Sequence, residues 1–187
     1  MGKLIYFAIM SLDGYIADES GNFEWAAPGE EEHAFINDLV RSATTHLYGR
    51  RMYEVMAAWE TEASLAEHSP IYRDFAGIWQ AAEKVVYSRT LDTVVTRRTR
   101  LEREFEPAAV KALLDQASGD AMIGGPEIAA AAFRAGLVDE CLLFVVPWIV
   151  GGGNPALPSH LRLQLQLSDH RVFPSGVVFL SYRVFKE

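Results

Sequence analysis

The sequence predicts an α/β protein, on three observations. Residues 3–10 are continuously apolar after Lys3, the mark of a central strand covered on both faces rather than of a half-exposed one. Ala121, Met122 and Ile123 run into Gly124, Gly125 and Pro126, and an Ala-rich segment follows until Arg134 and Gly136 close it, which reads as buried strand, tight turn and helix. The tail alternates at period two over 161–167 and 176–185, as an antiparallel pair does.

Composition sets the frame. The 187 residues are most simply one domain, 1–187, long enough to bury a core without disulfides or metal. The formal charge of −8 (17 basic against 25 acidic residues) gives no general attraction to nucleic acid or an anionic membrane, so any phosphate has to be bound locally. Cys141 is the only cysteine, which excludes an intrachain disulfide and a thiolate metal cluster and leaves it as an expected buried strand thiol. Asp13 and Gly14 interrupt the apolar start too early for a secretory signal, and no run approaches the roughly 18 apolar residues of a spanning helix. A cytoplasmic location is the expectation.

Taken in order, residues 11–17 turn the chain after the first strand, and Asp13 either caps that turn or belongs to a site at the strand end. Phe23 and Trp25 follow in a loop, as a small satellite core or as a pocket wall. Three glutamates, 30–32, open a helix at its positive end, and Phe35, Ile36, Leu39 and Val40 supply its apolar stripe. His33 and Asn37, four apart, share a face that is either solvated or turned into a cleft. A strand over 45–49 leads to Arg50 and Arg51 at a helix start, where the dipole favours anions; a bound phosphate would relieve that conflict, and two solvated arginines are the plain alternative. Residues 64–70 read as a loop and 71–82 as a helix with Phe75, Ile78 and Trp79 inward. Residues 84–89 form a strand ending in Ser88 and Arg89. A further strand is expected near 101–105, a helix over 107–117 with Pro at its first position, a central strand from 138 up to Pro147, and a flexible turn over 151–155.

Several strand ends thus carry groups suited to phosphate: Gly49-Arg50-Arg51, Ser88-Arg89 and Gly124-Gly125-Pro126. Together with SLDGYIA, LYGRRMYE, VVYSRTL, MIGGPEIAAAAF and GLVDECLLFVVPWIVGGGNPAL, spread over residues 3–157, they resemble the dihydrofolate reductase fold, and most closely its branch with the reductase domain of riboflavin biosynthesis, the RibD C-terminal type. The resemblance implies a three-layer fold with a central, mostly parallel mixed sheet flanked by helices, antiparallel C-terminal strands, and NADPH across the strand ends. It places Gly49, Arg50 and Arg51 on the pyrophosphate or 2′-phosphate, Ser88 and Arg89 at the adenosine 2′-phosphate end, and Gly124, Gly125, Pro126 and Glu127 on the pyrophosphate, with a cis Gly124-Gly125 peptide. Residues 13–16 match the loop that closes over the nicotinamide. It also implies a homodimer, to which the exposed alternating tail adds a reason.

At the substrate end the resemblance departs from dihydrofolate reductases, which carry a carboxylate on the first helix where an ungapped count places His33. The expectation is an NADPH-dependent reductase of a small heterocyclic, carbonyl or imine substrate, pterin- or pyrimidine-like structures included. Asp13 is its polar anchor, His33 its conditional acid, and Trp25, Asn37 and Tyr53 line the substrate. The competing readings are a non-catalytic NADP(H)-binding module and a flavin-binding protein in the same cleft.

Overall fold

The computed structural model describes residues 2–186. The strands are β1 (Leu4–Ser11), β2 (Tyr15–Ala17), β3 (Ala43–Gly49), β4 (Glu83–Tyr87), β5 (Thr99–Glu102), β6 (Asp120–Gly124), β7 (Glu140–Val146), β8 (Asn154–Pro155), β9 (Leu165–Val172) and β10 (Val178–Val184). The helices are α1 (Glu30–Val40), α2 (Arg50–Met56), α3 (Ala58–Thr61), α4 (Ala63–Glu67), α5 (Pro70–Ala81), α6 (Pro107–Gln116) and α7 (Pro126–Arg134). A single 3-10 turn, Glu24–Ala26, precedes α1.

Among the described residues, eight strands form one sheet in the order β5-β4-β3-β6-β1-β7-β10-β9. Every pairing from β5 to β7 is parallel, and β10 joins β7 and β9 antiparallel. β1 lies at the centre, as its unbroken apolar run requires. One side of the sheet is covered by α1, α2 and α5, which bring Ile36, Tyr53, Phe75 and Trp79 onto Ile5, Met122 and Phe144. The other is covered by α6 and α7, which bring Val110, Leu114, Ala129 and Phe133 onto Leu4, Tyr6 and Ile123. Three layers result, with the inner parallel strands buried on both faces and the two edge strands exposed, β9 along most of its length and β5 at Arg100 and Glu102.

The helix starts follow local chemistry. Ser69 caps α5 by accepting from the Tyr72 N–H at 3.2 Å, and Pro70 fills the first turn, where no N–H is needed. Pro107 and Pro126 do the same for α6 and α7.

Four expectations are corrected. Residues 63–67 are helical rather than loop, because α4 and α5 pack on each other and tertiary contact outweighs a polar composition. The turn over 151–155 contains β8, which pairs with β2, so the two loops that leave β1 and β7 are laced together. The strand expected near 101–105 runs over 99–102 instead, in register with β4 from Lys84 to Tyr87. Among the described residues no peptide is cis, and the chain turns after Gly124 through Gly125 at φ 102°.

The helix-covered sheet also encloses a polar cluster that no pattern announced. His46 of β3 stacks on Tyr48, with ring centroids 5.6 Å apart, and its Nε2 has no hydrogen-bond partner. Lys84 of β4 is buried beside it, its Nζ donating to the Trp79 carbonyl at 3.2 Å and lying 4.3 Å from the Trp79 ring centroid. Burial, and then the Lys84 charge, push His46 down to about 4. The unfolded chain, with an ordinary imidazole, takes up a proton near pH 6.5 that the folded chain refuses until about 4. Stability is therefore full above pH 6.5 and falls as pH drops toward 4, by on the order of 3 kcal/mol from this group. Chemical denaturation of the parent and of His46→Phe from neutral to acid pH checks this: the variant should lose distinctly less stability, and equal losses would refute the assignment.

Candidate functional site

The carboxyl ends of the parallel strands bring three glycines to one place. β3 and β6 are neighbours with Tyr48 opposite Gly124, so the residues that follow, Gly49 and Gly125, lie side by side where both strands hand over to helices. A Cβ on Gly125 would sit 3.4 Å from the Gly49 nitrogen, and one on Gly124 would sit 3.3 Å from the Met52 methyl carbon and 3.4 Å from the Tyr48 ring. A side chain at Gly124 or Gly125 would therefore press on packed protein, while one at Gly49 would meet only Ile128 in ordinary contact. Gly125 is the N-cap of α7 without a side-chain cap, and the first N–H that the helix uses is that of Ala129, donating to the Gly125 carbonyl at 3.0 Å. Pro126 has no N–H, so Glu127 and Ile128 present theirs ahead of the helix at its positive end, a seat for an anion. The exposed Glu127 carboxylate stands in that same first turn, so its contribution to holding an anion is its backbone N–H and not its side chain.

The arginines that follow the neighbouring strands β3 and β4 are in different states. Arg50 donates from Nε to Glu54 at 2.8 Å and from Nη1 to Thr90 at 2.9 Å. Arg89 pairs with Glu104 at 2.9 Å across an exposed surface. Arg51, next to Arg50 in the first turn of α2, is exposed and has no hydrogen-bond or ion-pair partner among the described residues. Ser88 is buried, and its hydroxyl accepts from the N–H groups of Thr90 and Leu91, so it shapes the turn after β4. Arg103 closes that turn from outside by donating to the carbonyls of Ser88 and Leu91. It lies in a run of alternating charge that offered no signal of this task.

The expected substrate end is rearranged. Tyr53 is buried at 2% exposure, and its hydroxyl meets Thr96 Oγ1 and the N–H of Val95 and Thr96. It anchors the segment before β5 and lines no cleft. Asn37 is also buried, and its amide donates to the Ile71 carbonyl and to Asp74, both at 2.9 Å, tying α1 to α5. His33 shares that face, 3.2 Å from the Asn37 carbonyl oxygen, within a cage of Trp59, Tyr72 and Phe75. Burial holds it below the ordinary imidazole range, so it is neutral at neutral pH. Trp25 is half-buried in the 3-10 turn, packed on the cluster around Ile5 and Phe144, with Nε1 donating to the Asn22 carbonyl. Asp13 accepts from the N–H of Val150 and Gly151 at 3.2 and 2.8 Å. A hydrogen bond from Ser11, and then those two amides, hold its carboxyl below the usual range. Its oxygens join the loop after β1 to the loop after β7.

A broad surface depression of about 890 Å³ lies at the opposite ends of the strands, lined by Arg41, Thr44, Asp74, Glu83, Arg98 and Gln116. There Arg41 is neutralised by Asp74 and Arg98 by Glu83, and none of the glycine turns takes part.

With this geometry in place, comparison with known proteins decides the family. The model of the RibD C-terminal domain matches residues 2–179. The chain belongs to the RibD C-terminal domain family. Two Bacillus subtilis (strain 168) relatives share this length. The uncharacterized protein YyaP is 24% identical over 181 residues, covering 96% of this chain and 94% of its own. YwjB, likewise uncharacterized, is 23% identical over 170 residues, covering 88% and 89%. Among solved structures, a candidate riboflavin biosynthesis protein of Shewanella sp. PV-4 superposes with a TM-score of 0.76 at 19% identity, covering 98% of this chain and 99% of that one. The pyrimidine reductase-like protein of Corynebacterium diphtheriae gives 0.68 at 14%, covering 100% and 93%. The fold is thus the dihydrofolate reductase-like one of the RibD C-terminal reductase domains, with the antiparallel C-terminal strands that the tail foretold.

The two turn glycines differ in what they tolerate. Gly125→Ala puts a side chain at φ 102° and should lower the unfolding free energy by about 1–3 kcal/mol. Gly49→Ala, at φ −74° with only Ile128 Cγ2 at 3.8 Å to meet, should cost less than about 0.5 kcal/mol. Urea denaturation of the pair measures the contrast, and comparable losses would contradict the described turn.

Proposed function

We propose that this RibD C-terminal domain is an NADPH-dependent reductase of a small heterocyclic, carbonyl or imine substrate. The observation that carries the reading is the glycine turn at Gly49, Gly124 and Gly125 where the free first-turn N–H groups of α7 begin, with the exposed, unpartnered Arg51 in the first turn of the neighbouring α2. Those groups would hold a pyrophosphate, and Arg51, aided by Arg50 and Arg89 once these release Glu54 and Glu104, would hold the 2′-phosphate. The nicotinamide supplies the hydride. The chain's own residues bind, orient and exclude water. Asp13 positions the loop beside β1 through Val150 and Gly151, and Trp25 and the half-buried Ile9, on the same face of the sheet, offer an apolar wall.

Two variants test this reading. Arg51→Ala should weaken NADPH binding about tenfold or more, the loss of one charge-assisted contact, while NADH affinity changes little. Calorimetric titration of both cofactors checks it, and equal weakening would remove the 2′-phosphate assignment. His33, neutral and caged, is left out of proton transfer in this reading, so His33→Gln should leave the pH profile of NADPH oxidation unchanged from about pH 6 to about pH 8. A lost ionisation in that range would restore His33 as the acid.

A second reading has an observation of its own. Neither Asp13 nor His33 stands free at the strand ends, which also fits an NADP(H)-binding module without turnover. NADPH bound tightly but left unoxidised by a panel of reducible heterocycles, aldehydes and imines would select it.

A further inference from the structure

The charges along the carboxyl edge of the sheet are sorted by sign. Arg89 follows β4, Arg103 closes the same turn, and Arg50 and Arg51 follow β3. Past the glycine turn of β6 the sign reverses. No lysine or arginine occurs over residues 4–40, which hold β1, its loop and α1, while seven aspartates and glutamates lie between Asp13 and Glu32. None occurs over residues 141–161 either, through β7 and its loop. β9 runs parallel to β7 and ends at the same edge, and its Arg171 is taken by Glu31 at 2.7 Å. Some of the acids have local tasks: Asp13 joins two loops, and Asp18 accepts from the N–H groups of Ser20 and Asn22 within its own turn. Glu24, next to Trp25, and Glu30, in the first turn of α1, are exposed, and neither carboxylate has a hydrogen-bond or ion-pair partner among the described residues.

Two consequences narrow the substrate. A phosphorylated one needs a basic partner, and the β1 and β7 side offers no uncommitted lysine or arginine among the described residues, while its acids repel an anion. A carbonyl or neutral imine takes a proton as well as a hydride, yet the two groups expected to handle a proton there are both engaged, Asp13 as an acceptor of two N–H groups and His33 within its aromatic cage. A C=N⁺ carbon takes a hydride alone: the hydride pair becomes the new C–H bond, the π pair moves onto nitrogen, and a neutral amine forms as the nicotinamide is oxidised. Resting on the reductase reading, in which the cofactor's phosphates occupy the β3 and β6 side and leave the β1 and β7 side to the substrate, we propose that the substrate is an unphosphorylated cyclic iminium cation, drawn in by the unpaired acids and reduced without a proton from the protein.

The probes are N-methyl-dihydroisoquinolinium, whose charge is permanent, dihydroisoquinoline, which loses its charge as pH rises, and glyceraldehyde phosphate. With NADPH, kcat/KM should be highest for the permanent cation and flat from about pH 6 to about pH 9, while that of dihydroisoquinoline falls as the imine itself deprotonates. Calorimetric binding of the permanent cation to the protein alone gives a readout without turnover. Its affinity should fall about threefold or more between about 50 and about 300 mM salt, and by a similar factor in Glu24→Gln/Glu30→Gln, a variant that keeps the parent's circular dichroism and NADPH affinity. Two results overturn the proposal while leaving the reductase reading in place: NADPH bound but oxidised faster with glyceraldehyde phosphate than with the iminium, or cation binding unmoved by salt and by the variant. A protein that binds no NADPH overturns both.

Discussion

The parallel pairing of β3 with β6, Tyr48 against Gly124, is the constraint on which the site depends. Both strands are buried on both faces, so their ends cannot slide without moving an entire set of core side chains. Fixed in that way, they deliver Gly49 and Gly125 to neighbouring positions and start α2 and α7 from the same edge. An anion seat built from backbone N–H groups needs only this placement, since it relies on no side-chain rotamer. The surrounding arginines then differ by how firmly their neighbours hold them, and Arg51, with no carboxylate at hand, is the one whose charge is available without a competing partner.

A second theme is that polar groups expected at the substrate join elements of the scaffold instead. Asn37 bridges α1 to α5, Tyr53 fastens the segment before β5, and Asp13 ties the loop after β1 to the loop after β7. A buried amide or phenol must be hydrogen-bonded, and the nearest partners are backbone groups of adjacent elements. In the proposed reductase, specificity would then fall to shape and loop position more than to a fixed acid. The pairing of β2 with β8 and the Asp13 contacts with Val150 and Gly151 hold those two loops together.

Within the sequence alone, the strand-turn-helix at 120–134, the central apolar run and the two-residue alternation of the tail were legible because each is a local pattern whose period matches its element. The glycine and arginine turns were legible for the same reason: those groups sit at strand ends whatever the loops between them do. The substrate end was not legible. Where His33 points depends on how α5 packs on α1, and its cage of Trp59, Tyr72 and Phe75 comes from segments 26 to 42 residues away in the chain. His46 and Lys84 likewise read as ordinary strand residues until Trp79 and Tyr48 enclose them.

The sequence by itself determined the alternation of strands and helices, the glycine turns and the net acidic charge, because these follow from composition and short-range backbone preference. Only the tertiary structure decided which polar side chains face a cleft and which are taken up in holding helices and loops together. That choice is a competition among hydrogen-bond partners brought close by packing, and no residue's own identity or spacing contains the answer.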